Sequence, residues 1–135
     1  MKIIDEQRLG ELISQAKESP RLRMNYNFHQ SLDEKRHRFL NAVEPGTEVP
    51  IHQHPTKDET FVILRGKVRV TTHRDDGSII DDVVLCAEEG RYGVNIPKGM
   101  WHTIEAMEVD SVIFECKEGP FVEHEVDGIL NVEKK

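Results

Sequence analysis

No stretch of this 135-residue chain stays apolar for long. The longest runs, such as Phe61-Val62-Ile63-Leu64, reach about four to five residues, whereas a membrane-spanning helix needs about 20. Basic charge is also scarce. Eighteen Lys and Arg stand against 25 Asp and Glu, for a formal net charge of −7. Such a chain gains nothing by releasing counterions from a phosphate backbone, so nucleic acid is not an expected partner. Only two cysteines are present, Cys86 and Cys116, each in an apolar segment and neither in a CxxC pair. They read as inert buried thiols rather than as redox or nucleophilic groups. The start, Met1-Lys2-Ile3-Ile4-Asp5-Glu6, turns acidic at once. It has neither the basic opening nor the apolar core of a secretory signal, and cytoplasmic residence is the expectation.

What is present fits one soluble domain, with 37% hydrophobic and 32% charged residues. Residues 5–19 read as one amphipathic helix. Asp5 is the candidate N-cap, Leu9, Leu12, Ile13 and Ala16 form one stripe, and Ser19-Pro20 is the stop. The stripe packs on the rest of the domain or serves a dimer interface. After Pro20 the period becomes two. Leu22, Met24, Tyr26 and Phe28 alternate with Arg23, Asn25, Asn27 and His29, as in a half-buried strand. Further strands are expected near 38–43, 60–64, 67–71, 79–85, 92–96, 101–107 and 111–116, the last two as a pair. Arg74-Asp75-Asp76-Gly77 is expected as a hairpin turn. About nine short strands behind a single helix predict an all-β sandwich or barrel.

The chemistry gathers in His52-Gln53-His54, then Glu59, then His102. Residues two apart on a strand share a face, so both early imidazoles can reach one point. The loop Pro55–Asp58 returns Glu59 to them. His102 follows the Pro97-Lys98-Gly99 turn, on a strand that puts His102, Ile104 and Ala106 on one face. Imidazoles with a carboxylate suit one divalent first-row transition metal ion, such as Zn, Fe, Mn or Ni. Four protein ligands leave between zero and two open positions, depending on geometry.

Those residues also carry a resemblance. Gly46, TEVPI, His52-Gln53-His54, PTKD, Glu59, TFVILR and Gly66 match every fixed position of the first motif of the cupin superfamily. Gly90, RYGVNI, Pro97-Lys98-Gly99, Met100-Trp101 and His102 resemble the second motif. One gap there is longer by a residue, and Ala106 stands where an asparagine is common. The two motifs cover residues 46–106. A narrower resemblance, to the WbuC-type cupin-fold metalloprotein family, rests on three further features. They are Ser19-Pro20-Arg21 with Asn25, Asn27 and His29, the run from Pro97 to Thr103, and the run from Phe114 to Phe121. Members of that family are associated with surface-polysaccharide gene clusters.

The resemblance implies a double-stranded β-helix (jelly-roll) barrel holding one metal on His52, His54, Glu59 and His102, and a homodimer paired through its sheets. The expected division is an N-terminal helix (1–20), a barrel (21–117) and a C-terminal extension (118–135). Arg23, Asn25, Asn27 and His29 share one strand face, which is either solvated or the lining of a pocket for a small polar, sugar-like or carboxylate ligand. His29 is a candidate proton donor there. Lys57 is either solvated or an anion contact at the cavity mouth. His37, His73 and His124 read as surface residues. Three functions stay open: a metal-dependent enzyme of unknown reaction, a non-catalytic small-molecule binding module, and a purely structural metal site.

Overall fold

A computed structural model describes residues 1–118. Helix α1 spans Glu6–Glu18, and Asp5 caps it by accepting a hydrogen bond from the Arg8 N–H at 2.9 Å. Among the described residues eight strands follow: β1 (Arg23–Asn27), β2 (Arg36–Val43), β3 (Glu59–Arg65), β4 (Val68–His73), β5 (Ile79–Leu85), β6 (Gly93–Ile96), β7 (Trp101–Ala106) and β8 (Ser111–Glu118). They form two antiparallel sheets, ordered β1-β2-β8-β3-β6 and β5-β4-β7. The all-β expectation with one leading helix therefore holds.

Strand alternation separates two cores. One lies between the sheets, where Val43, Phe61, Ile63 and Ile113 of the larger sheet meet Val68, Val70, Leu85 and Ile104 of the smaller. The other lies on the outer face of the larger sheet. There Leu9, Leu12, Ile13 and Ala16 of α1 cover Leu40, Ala42 and Val112, with Met24, Tyr26, Phe28 and Phe114 packed around them. The helical stripe is thus spent on the sheet, as its spacing allowed. Gly66 closes the β3–β4 turn with φ +81°. A Cβ there would lie 2.7 Å from the Ser111 Cα, so only glycine fits this crossing of backbones.

Three expectations need correcting. The segment carrying His52 and His54 is a loop rather than a ninth strand, joined to the sheets by one bridge between His52 and His102. Pro50 and Pro55 flank it and cannot donate to a ladder. Strands β7 and β8 are not partners: β7 pairs with β4, and β8 lies between β2 and β3 in the other sheet. His37 and His73 are buried, at 2% and 8% exposure, and not on the surface. Arg36 and Arg38, the charged neighbours of His37, are exposed on alternate positions, whereas His73 follows the buried, uncharged Thr71 and Thr72 at the end of β4. Its Nδ1 donates to the Gly77 carbonyl at 2.8 Å and its Nε2 accepts from Thr71 Oγ1 at 2.9 Å, fastening the β4–β5 turn. His124 and the extension beyond Glu118 lie outside the described residues.

Candidate metal centre

Backbone geometry brings the two motifs together. The His52 N–H donates to the His102 carbonyl at 3.0 Å, and the His102 N–H donates back to the His52 carbonyl at 2.8 Å. The Gly99 N–H donates to the His54 carbonyl at 2.9 Å, so the turn before β7 docks on the loop carrying the first two histidines. Glu59 enters from the first position of β3. One ligand atom from each of His52, His54, Glu59 and His102 lies within 4.8 Å of all the others. Donors about 2.1 Å from a common ion stand at most about 4.2 Å apart, so this cluster needs only small adjustments to close on one.

The hydrogen bonds decide which ring atoms face the centre. His52 Nδ1 lies 2.8 Å from the Pro50 carbonyl, and His102 Nδ1 lies 2.9 Å from the Met100 carbonyl. A carbonyl only accepts, so each Nδ1 carries the hydrogen and each Nε2 of a neutral ring presents a lone pair. His102 Nε2 then stands 3.0 Å from Glu59 Oε1, and His54 Nε2 stands 3.6 Å from the same oxygen. Electron-pair donors converging at these distances require a proton or a cation between them. The donor set matches a divalent transition metal.

The local field agrees. Burial, then the neighbouring His102, lowers the His52 pKa to about 4, which keeps the ring neutral and able to ligate. Burial by itself would push the Glu59 carboxyl up. With protons on the His102 and His54 rings in place of a metal, hydrogen bonds from them outweigh burial and hold the carboxyl well below its usual range.

A cavity of about 400 Å³ opens beside His52 and Glu59 on the concave face of the larger sheet. Arg23, Asn25, Asn27 and His29 all line it, because β1 turns its apolar residues outward to α1 and its polar ones inward. Lys57 does not line this cavity. His29 stacks on His37 at 4.1 Å between ring centroids, with planes 5° apart, and burial lowers the His37 pKa, as does the nearby His29. Sequence reasoning missed Asn41, Glu115 and Lys117, which line the same wall. Asn41 Nδ2 donates to Glu115 Oε2 at 2.7 Å, and burial, then the charge of Glu59, raises the Glu115 pKa to about 8. A signal for two of them was present: Asn41 interrupts Phe39-Leu40-Ala42-Val43, and Glu115 interrupts Val112-Ile113-Phe114-Cys116. Polar groups set in apolar strands are retained when they have partners or a task.

Solved structures resemble this fold. The capsular polysaccharide assembling protein CapF from Staphylococcus aureus matches with TM-score 0.59 and 24% identity over 76% of this chain, which spans only 28% of the CapF chain. KdgF from Halomonas sp. matches with TM-score 0.58 and 16% identity, over 77% of this chain and 84% of its own. A cupin superfamily protein from Desulfitobacterium hafniense DCB-2 matches with TM-score 0.56 and 14% identity, over 71% of this chain and 76% of its own. At these identities the likeness establishes the fold, which is that of a cupin. A search of curated proteins finds no match. The family whose model matches residues 4–85 is described as a domain of unknown function (DUF6016), and because that match takes in more than half of the 135 residues, the chain belongs to this family.

Proposed function

We propose that this chain is a metalloprotein in which His52, His54, Glu59 and His102 hold one divalent transition metal ion beside a cavity for a small polar ligand. One observation carries the reading: with the His52 and His102 Nδ1 hydrogens committed to carbonyls, ring lone pairs and a carboxylate oxygen converge within 4.8 Å. A bound metal of this kind supplies Lewis acidity, polarising a carbonyl or lowering the pKa of water. The protein's own part is orientation. His52 and Glu59 belong both to the cluster and to the cavity wall, so a ligand held by Arg23, Asn25, Asn27 and His29 lies against them.

The narrower reading is a WbuC-type protein connected with surface polysaccharide, in line with the likeness to CapF, a capsular polysaccharide assembling protein. It takes residues 1–20 as a helical cover, 21–117 as the barrel and 118–135 as an extension, in a cytoplasmic homodimer. A cavity contiguous with the cluster favours a metal that meets a ligand over a purely structural ion.

Elemental analysis of the purified protein tests the centre. One equivalent of a transition metal is expected, falling at least tenfold in His52→Ala and in His102→Ala. Unchanged stoichiometry in both variants removes the proposal. Dialysis against a chelator at falling pH should strip the metal progressively, because protons compete for the imidazoles.

A further inference from the structure

We infer that the cavity takes a small hydroxylated anion, with its charged group held by Arg23 and Lys117 and a hydroxyl donated to Asn41 Oδ1. The inference deepens the polar-ligand reading above and rests on it for the cavity's role, though not on the metal.

The first ground is charge. The chain as a whole is acidic, at −7, yet Arg21, Arg23 and Lys117 all line this cavity. Among the described residues, Glu59 belongs to the histidine cluster, which leaves Glu115 as the other carboxyl on the wall. Three cations against one remaining carboxyl, inside a concave and partly desolvated space, favour an anion. Strand register sets these groups around one volume. Arg23 and Asn25 lie opposite Val43 and Asn41 across β1–β2, and Lys117 lies opposite both His37 and Glu59 across β8.

The second ground is an unpartnered acceptor. Asn41 is 1% exposed and lines the cavity, and its Oδ1 has no hydrogen-bond partner among the described residues. Nδ2 is given to Glu115 Oε2 at 2.7 Å, which leaves Oδ1 as the free end of the amide; reversed onto a protonated Glu115, the amide would leave an N–H there instead, which a ligand hydroxyl satisfies equally. A buried carbonyl oxygen left without a donor is costly. A ligand hydroxyl supplies that donor, and a bare anion does not. The cavity of about 400 Å³ admits a molecule of a few to about a dozen non-hydrogen atoms. Carboxylate and phosphate both satisfy the cations, so the shared chemistry is a hydroxylated anion.

The test measures binding by calorimetry to the full chain with four probes: glycerate, glycerol phosphate, glycerol and propionate. Glycerate or glycerol phosphate should bind at least tenfold more tightly than glycerol, which lacks the charge, and than propionate, which lacks the hydroxyls. Comparison of the first two separates a carboxylate site from a phosphate site. Arg23→Met should abolish the preference for charge, and Asn41→Leu the preference for hydroxyl, both at unchanged metal content. If Asn41→Leu does not fold, Arg23→Met still decides. Glycerol binding as well as either anion, no binding of either anion, or an Arg23→Met variant that keeps the preference overturns the inference. His102→Ala, at a cluster residue that does not line the cavity, isolates it from the metal reading. The expected result is loss of metal with the anion preference retained, and loss of the preference together with the metal would assign recognition to the ion and overturn the inference.

Discussion

The two faces of the sheet β1-β2-β8-β3-β6 are made from the same strands and do different work. The outer face of β1, β2 and β8 presents Met24, Tyr26, Leu40, Ala42, Val112 and Phe114 to helix α1. The inner face, one residue out of step, presents Arg23, Asn25, Asn27, Asn41, Glu115 and Lys117 to the cavity. Alternation along a strand thus separates stabilisation from recognition at the scale of a single residue. Nonpolar burial outside compensates for polar groups kept inside.

The contrast can be broken from either side. The largest effect is expected on the outer face. Leu40 is fully buried under α1, and Leu40→Ala should cost about 2–5 kcal/mol, read as a lowered Tm. Metal stoichiometry should stay at that of the parent, and a loss of metal would show that the two faces are not separable.

The inner face should instead show itself in the pH dependence of the metal-free protein. The Glu115 pKa is raised to about 8, with burial as the leading cause. The stability it contributes is present below the ordinary carboxylate range and is lost as pH rises toward 8. The His52 pKa, lowered to about 4, acts oppositely: the unfolded chain takes up a proton near 6.5 that the folded chain refuses, so stability falls as pH drops from 6.5 toward 4. Thermal melts in chelator should therefore show a stability maximum between these limits. Glu115→Gln should flatten the alkaline side by a few degrees, and an unchanged profile would mean that Glu115 is ionised in the fold.

The smallest effect belongs to the helix end. Asp5→Ala removes the acceptor for the Arg8 N–H and should cost about 1 kcal/mol in thermal or urea unfolding. Ligand and metal binding should not move, since α1 touches the sheet only from outside.

Much of this arrangement was legible residue by residue. The spacing of Leu9, Leu12, Ile13 and Ala16 marked a one-sided helix, and Asp5 its cap. The alternation from Leu22 to Phe28 marked β1 and its two faces, although which face met the cavity needed a structure. The set His52, His54, Glu59 and His102 was readable because spacing and residue type together are restrictive, and the four do converge. The route to that convergence differs from the expected strand: His52 and His54 meet the others from a proline-flanked loop, held by the bridge to His102. His37 was misread because charged neighbours at adjacent positions say nothing about the opposite strand face. It lies in the buried set of β2, against His29.

The periodicities, the helix and its cap, the turn at Gly77 and the inventory of metal-capable side chains follow from residue order alone, because each depends on residues within a few positions of one another. Long-range pairing sets β8 between β2 and β3 and sends β7 to the opposite sheet. That pairing sets Glu115 on Asn41 across 74 positions of chain and surrounds the cavity with Arg23 and Lys117. The physical reason is that alternation tells each residue which side of its strand it occupies, whereas the neighbour it meets there is chosen by the closure of two sheets around a shared core.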